Sequence, residues 1–327
     1  MAKKLIIENT ASQDIAKVEV GFDKILYRIF TESLASNVCS TIKVQSTKGK
    51  IFAFGSFYER NYADVDKSTQ PFGTIEPDYS GDSTHSQEGD VKASLKNKLL
   101  GREFNCFTKN IKSAWTMEAM QDFVAVADPE KSSDILEQEL STEIIQEMDK
   151  GLIEFCMKEG TKKTLTIDAS TDYNRILGEI QNYGIQMTTA MKRPPCLKVV
   201  ASAYICGLLS SHPQFDSSKV DLTKNVYYFG RIHNVEIYCD ALGIASDIGE
   251  DFVIILYKAE ADRPASSLTY VQYKEGYSFY SAIDSKTGGL VYFHGNRYDI
   301  IKHPLDDGTT GPSKFITYLS IPKRLYP

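Results

Sequence analysis

The stretch DILEQELSTEIIQEMDKGLIEF, residues 134–155, predicts the long helix around which the rest of the fold is organised. Seven of its 22 residues are carboxylates, yet its apolar residues recur at three- and four-residue spacing, which is typical of an amphipathic helix. Ser133 or Asp134 can cap its start, with Glu137 three residues after Asp134 as in a capping box, and Gly160 stands where a left-handed C-terminal cap is expected. We predict a helix over about 134–158, with an apolar arc that packs on a sheet: Leu140, Ile144, Met148, Leu152 and Phe155.

The acidic face of this helix allows two interpretations. Glu139, Glu143 and Glu147 are spaced four apart, so they share one face. A metal-dependent enzyme could use such a row, but a carboxylate-bridged metal site in a helical bundle normally adds histidine, and no histidine occurs between His85 and His212. Neighbouring glutamates repel one another. We therefore favour a face that forms salt bridges with basic residues of another subunit, and expect no metal or cofactor.

The sequence before the helix predicts an arm followed by a projection. Residues 22–38 have the apolar spacing of an amphipathic helix, and 40–61 look like a pair of strands around a turn at Lys48-Gly49-Lys50. Residues 62–90 are almost entirely turn formers, acids and hydroxyls, which is far longer than an ordinary loop. Strand character returns over 102–115. We predict a long two-stranded projection that leaves the body and comes back.

The sequence after the helix predicts a mixed half. A strand at 164–168 is followed by a helix at 171–187, and a further helix lies within 197–213. Short strands then predominate, so the fold class is α+β. The predicted strands are 225–230, 234–240, 251–259, 267–274, 289–300 and 315–326.

Composition argues against several classes of protein. The net charge of −6 is unlike that of a protein that binds nucleic acid through a basic surface. The weakly polar runs 199–209 and 252–257 are too short for a membrane span, and the N-terminus lacks a signal-peptide core. The six cysteines form no C-x-x-C pair, which predicts reduced, buried thiols. No nucleophile signature is present. We expect a protein that is not an enzyme.

One segment resembles a known family. The run Trp115, Thr116, Glu118, Gln121 and Asp122, followed by residues 139–148, resembles the major capsid proteins of T-even-like tailed bacteriophages. Residues 49–54, 198–202 and 226–240 are also similar in order and spacing. The sequence departs from the family pattern at 127–129, where Ala-Asp-Pro replaces the usual His-Gly. The tripeptide Ile6-Ile7-Glu8 fits the family's maturation cleavage pattern.

The resemblance implies the HK97-like capsid fold and a division of the chain. The implied parts follow the order that the residue patterns indicate independently: arm, projection, long helix, mixed half, closing strand. They are an N-terminal arm (1–45), an extended E-loop (46–107), a P-domain with the spine helix (108–191), an A-domain (192–300) and a C-terminal strand returning to the P-domain (301–327).

The function implied is that of a shell. Such a protein would be made in the bacterial cytoplasm and would form hexamers, with pentamers of itself or a paralogue. These would enclose double-stranded DNA in a virion without recognising its sequence. Vertex, portal and decoration proteins would be its other partners. The expected intersubunit contacts on the E-loop are Phe52, Phe54, Phe57, Arg60, Phe104 and Phe107. A pentameric vertex protein of the same family and a bacterial encapsulin shell remain alternatives.

Overall fold

A computed structural model describes residues 32–60, 93–115, 129–167, 173–191, 196–220, 224–259, 266–273, 278–283, 290–304, 306 and 312–322. Its helices are α1 (Leu34–Val38), α2 (Pro129–Glu159), α3 (Tyr173–Met191), α4 (Ala203–Ser210) and α5 (Ile244–Ile248). Its strands up to the middle of the chain are β1 (Ser40–Val44), β2 (Lys48–Arg60), β3 (Ala93–Asn105), β4 (Phe107–Trp115), β5 (Gly160–Thr164), β6 (Leu197–Ser202) and β7 (Phe215–Asp216). The remaining strands are β8 (Val226–Ile232), β9 (Val235–Asp240), β10 (Glu250–Tyr257), β11 (Leu268–Tyr273), β12 (Ser278–Ile283), β13 (Leu290–Lys302) and β14 (Ser313–Pro322).

The largest sheet has seven strands in the order β5-β14-β10-β6-β9-β8-β7. It is mixed, because β5 runs parallel to β14 and β6 parallel to β9, whereas the other neighbours are antiparallel. Helices cover both of its faces. In β10, Val253 and Ile255 point into one core with α3 and α4, while Ile254 and Leu256 point into a second core with α2. This burial on both faces explains why 252–257 is an uninterrupted apolar run.

A five-stranded sheet is built around β13. One edge of β13 pairs with β4, and the other pairs with β12 and then β11. Strand β1 adds to β11 in parallel, with Ser40 opposite Thr269. Strand β1, from the predicted range 1–45, thus pairs with β11, and β4, largely from the range 108–191, pairs with the part of β13 that lies in 192–300. Those ranges remain a proposal about the role of each part.

The predicted hairpin over 40–61 is wrong. Strands β1 and β2 do not pair with each other, because β1 pairs with β11 and β2 pairs with β3. Lys48-Gly49-Lys50 opens β2, and the chain bends before it, at Gln45–Thr47. The correct partner of β2 comes after the long polar segment. The antiparallel ribbon β2–β3 runs without a register shift from Lys48 opposite Asn105 to Arg60 opposite Ala93, which is the predicted projection.

The long helix is confirmed and longer than predicted. Helix α2 contains 31 residues and begins at Pro129, five residues before the expected start. Proline is favoured in the first turn of a helix, since its missing N–H would have no intrahelical partner there. The expected left-handed cap at Gly160 is absent, because Gly160 does not have a positive φ and is already the first residue of β5.

Two parts of the sequence prediction fall mainly outside the described residues. The arm helix over 22–38 is seen only from Leu34, as the short helix α1. The polar segment 62–90 and the tripeptide Ile6-Ile7-Glu8 are not described. In the part of the chain that is described, no helix is long and apolar enough to cross a membrane.

Candidate functional site

The ribbon β2–β3 is the feature that stands apart from the body. Each strand has 13 residues, so the ribbon is about 40 Å long. Within the described ranges, neither strand pairs with a third strand. A two-stranded ribbon is marginally stable by itself in water. The ribbon therefore depends on its attachment to the body for stability, and its exposed side chains are available for contacts.

The ribbon is fixed to the body at its root by a small core and backbone hydrogen bonds. Ile51 and Phe104 are buried with Cys106, Val271 and Ile301. The backbone N–H of Cys106 donates to the Thr47 carbonyl at 2.7 Å and thereby closes the ribbon. Arg102 Nη2 donates to the Asp306 carbonyl at 2.6 Å. The root is therefore held to the loop that follows β13.

Asp299 of β13 adds a polar anchor to this root. One of its carboxylate oxygens accepts the N–H of Asn105 at 2.7 Å, and the other accepts the N–H of Ile300 at 2.9 Å. Burial raises the pKa of Asp299 despite these two hydrogen bonds. Asn105 also ends β3, so the carboxylate binds the chain where it passes from the ribbon into β4. The position of the ribbon is thus coupled to the central strand of the five-stranded sheet.

Two glycine–phenylalanine pairs cross the ribbon near its root. Gly49 lies opposite Phe104, and Gly101 lies opposite Phe52. A Cβ on Gly49 would come within 2.8 Å of the Phe104 ring, and one on Gly101 within 2.8 Å of the Phe52 ring. Each ring therefore occupies the space beside the glycine of the opposite strand, an arrangement that supplies packing where glycine has no side chain.

The two pairs differ in exposure, which yields a prediction. Phe104 is 7% exposed and Phe52 is 50% exposed. We expect Gly49→Ala to destabilise the root by about 2 kcal/mol, since the buried Phe104 ring has nowhere to move. Gly101→Ala is the matched control and should cost less than about 1 kcal/mol, because the Phe52 ring can swing into solvent. Urea unfolding measures both. Equal costs for the two variants would contradict this difference.

The predicted contact residues of the ribbon separate into three groups. Phe52 and Phe107 are exposed large apolar residues, at 50% and 64%. Phe104 must be withdrawn as an intersubunit contact, because its ring is buried in the root core of its own chain. The backbones of Phe54, Phe57 and Arg60 lie in β2, and their side chains are outside the described part of the structure.

Helix α2 buries most of its predicted arc. Ile144, Met148 and Leu152 are at most 2% exposed, and Phe155 is partly buried at the edge of the same core. Leu140 lies on the helix, but its side chain is outside the described part. The core also contains α1 and strands of both larger sheets. The helix is thus packed between the two sheets.

The acidic face has a partner within its own chain. Lys109 Nζ of β4 lies 3.2 Å from Glu147 Oε1, so Glu147 has a basic partner within its own chain, and the predicted intersubunit bridges of Glu139, Glu143 and Glu147 stay a prediction. Both side chains are 40% exposed or more, and such exposed pairs contribute little to stability. Glu143 is exposed, and the Glu139 side chain is not described. Among the residues that are described, no group of three or more His, Cys, Asp and Glu could hold a metal ion.

Asp149 is a buried carboxylate of α2 that the sequence prediction missed. It is 1% exposed, and its Oδ1 accepts the backbone N–H of Leu34 at 2.8 Å. This N–H lies at the start of α1, so Asp149 caps the arm from the spine helix. Burial raises its pKa to about 8. Its spacing from Ile145 and Leu152 places Asp149 on the apolar arc, which is the sequence signal that could have identified it.

The family motif residues are only partly visible. Trp115 is the last residue of β4, with its backbone opposite Leu290. Glu118, Gln121 and Asp122 lie in the undescribed segment between β4 and α2.

Comparison with known proteins gives a family and a fold. A family model described as "Major capsid protein Gp23" matches residues 96–321, well over half of the chain. No curated protein sequence matches significantly. Similar solved structures include Gordonia phage Cozz (11% identity, 89% of this chain and 87% of that chain, TM-score 0.53) and Mycobacterium phage Bobi (8%, 89% and 91%, 0.52).

The head structure of Helicobacter pylori bacteriophage KHP40 is also similar, with 10% identity, 89% of this chain and 90% of that chain covered, and a TM-score of 0.50. At these identities the likeness shows the fold, and that fold is the HK97-like one that the sequence resemblance implied.

Proposed function

This chain belongs to the Gp23 family of major capsid proteins, and from that premise we propose that it forms hexameric capsomers in which each β2–β3 ribbon lies across the neighbouring subunit. A member of this family is a structural protein of the phage head shell, located in the virion. The hexamer, the ribbon contact and synthesis in the host cytoplasm are parts of the proposal. So are a non-enzymatic role, contacts with vertex, portal and decoration proteins, and non-specific proximity to DNA.

The observation that carries the proposal is the half-exposed Phe52 on a ribbon that, in the part of the chain that is described, pairs with no third strand. Phe52 is half exposed, and the register places Phe54 opposite Leu99 and Tyr58 opposite Leu95. Residues two apart on a strand share a face, so these positions fall on the face of Phe52. A two-stranded ribbon is marginally stable without a partner. A second copy of the chain is the partner that a shell supplies.

The geometry of such a contact explains closure. When the ribbon of one subunit contacts a different surface of the next, the interface is heterologous, and repeated copies close into a ring if the rotation permits. We propose six subunits per ring, with pentamers of this chain or a paralogue at the vertices, because the matching family is described as that of the major capsid protein. The exposed Phe107, at the start of β4, extends the proposed contact toward the body.

The proposal predicts that Phe52→Asp abolishes or strongly weakens assembly. Loss of a buried aromatic anchor costs about 2 kcal/mol or more per contact, which raises the concentration needed for assembly at least about tenfold. Light scattering and negative-stain microscopy measure the effect. The parent should form rings or megadalton shells, whereas the variant should remain dissociated with an unchanged unfolding curve.

Ile185→Asp provides the matched control for this variant. Ile185 is 65% exposed on α3, a helix that packs in a different core from the ribbon root, and its substitution introduces the same charge. The control should assemble like the parent. A Phe52→Asp variant that assembles as well as the control would refute the ribbon contact, and a parent that stays monomeric in all conditions would refute the capsomer itself.

A further inference from the structure

A cavity of about 360 Å³ lies at the end of β14, next to α4 and α5. Its volume falls within the range of about 300–1,000 Å³ that is usual for binding pockets. Much of its wall is apolar, and these residues are Ile167, Ala203, Tyr204, Ala245, Ile321 and Pro322. The charged residues of the wall are Asp240 and Asp251, and no described lysine or arginine lines it. The cavity therefore combines apolar surface with carboxylates.

The hydrogen bonds of these two carboxylates come from neutral groups in the part of the chain that is described. Asp251 Oδ1 accepts the hydroxyl of Ser202 at 2.8 Å. Asp240 accepts the backbone N–H groups of Leu242 at 2.9 Å and of Ile244 at 3.2 Å. Asp240 is 3% exposed and Asp251 is 6% exposed. A buried carboxylate is costly unless a cation accompanies it, so a cation that entered the cavity would stabilise both residues.

Lys150 of α2 acts on Asp240, but its charge is already balanced. Its Nζ lies 3.0 Å from Asp247 Oδ2. Burial raises the pKa of Asp240 against its two backbone hydrogen bonds, while the charges of Asp247 and Lys150 shift that pKa in opposite directions. When Asp251 is included, three carboxylates are accompanied by one ammonium group. These four residues therefore carry more negative than positive charge.

The sequence that follows β14 has the complementary chemistry. Strand β14 ends at Pro322, which itself lines the cavity. The next residues are two cations, Lys323 and Arg324, and then two large apolar residues, Leu325 and Tyr326. Three extended residues span at most about 10 Å. The covalent link to Pro322 therefore keeps both cations within a short distance of the cavity wall.

We propose that residues 323–326 bind in the cavity of their own chain, with the two cations beside Asp240 and Asp251 and the two apolar side chains against its apolar wall. A segment that is tethered at the rim has a high effective concentration there, which favours it over a separate molecule. The bound segment would tie the end of β14 to α4 and α5. The inference concerns a single subunit and does not depend on the proposed capsomer.

Photo-cross-linking of the full-length protein tests this contact. Tyr326 is replaced by p-benzoylphenylalanine, whose excited ketone abstracts a hydrogen from a nearby C–H group, after which the two carbon radicals combine. We expect cross-links to the cavity wall, in peptides that contain residues 202–204 or 243–246, and mass spectrometry identifies them. Protein grown in ordinary and in ¹⁵N medium is mixed before irradiation, so that cross-links within one chain contain a single isotope. The same amino acid at Ile185, which is exposed on α3, should not label these peptides.

Substitutions show whether charge holds the segment in place. Lys323→Gln/Arg324→Gln should lower the yield of these cross-links several-fold, and it should speed hydrogen exchange at the Leu242 and Ile244 amides about fivefold. Lys314→Gln removes an exposed lysine of β14 and should change neither property. Cross-links to other surfaces, cross-links that join a light and a heavy chain, or a yield that the double variant leaves unchanged would each overturn the inference. The proposed function stands or falls separately, by the assembly of the parent protein and the Phe52→Asp variant.

Discussion

Replacing Gly160 by alanine is expected to destabilise the fold by about 3 kcal/mol, the largest loss that we anticipate from a single added methyl group. Gly160 joins α2 directly to β5. A Cβ at this position would come within 2.6 Å of the backbone oxygen of Cys156 and 3.0 Å of Ile316. The carbonyl belongs to the last turn of the helix and Ile316 belongs to β14, so neither can yield without shifting an element. Chemical denaturation followed by circular dichroism measures the loss.

Gly207→Ala is the matched control for this substitution. Gly207 lies within α4, and a Cβ there would meet nothing within 4 Å. Alanine in the interior of a helix is favoured over glycine, so this variant should gain about 0.5–1 kcal/mol. The two variants add the same atoms and should have opposite effects. A Gly160→Ala protein as stable as the parent would show that the helix end can relax, and would refute the steric account.

Helix α2 illustrates which part of the fold the sequence predicts well. Its period of 3.6 gives the helix and its buried arc, because the signal is local and extends over many turns. The predicted start at 134 lies five residues after the observed one, although Pro129 is itself a start signal. Gly160 was interpreted as a cap because glycine after a helix usually is one. Its actual role depends on Ile316, more than 150 residues later, which no local pattern contains.

The pairing of β1 and the burial of Phe104 illustrate which features could not be predicted from the sequence. Strand β1 pairs with β11 across more than 220 residues, whereas the nearer β2 offers an equally good pattern. Alternation in β2 and β3 predicts two faces, but it does not tell which face the body covers. That depends on Val271 and Ile301, which reach the root only in the folded sheet. Because alternation does not tell which face is covered, the sequence predicts an intersubunit contact for both Phe52 and Phe104.

Raising the pH is expected to weaken the attachment of the arm to the spine helix through Asp149. Its folded pKa of about 8 lies above the ordinary 3.8, chiefly because of burial, while the N–H of Leu34 and the charge of Lys224 act in the opposite direction. The folded state therefore binds the proton more tightly than the unfolded chain. Stability from this group is fully present below about pH 4 and is lost as the pH rises toward 8. The whole loss is at most about 6 kcal/mol.

Asp149→Asn should remove this dependence while keeping the cap. The amide oxygen of asparagine can still accept the Leu34 N–H, but it carries no charge. We expect the variant and the parent to have similar free energies of unfolding near pH 4, and the variant to be more stable by a few kcal/mol near pH 8. Glu143→Gln neutralises an exposed carboxylate on the same helix and should leave the pH profile unchanged. Parallel profiles for the parent and Asp149→Asn between pH 5 and 8 would mean that Asp149 is not the group responsible. Because Leu34, Ala35 and Val38 share their core with α2, hydrogen exchange at the α1 amides should show the same divergence locally.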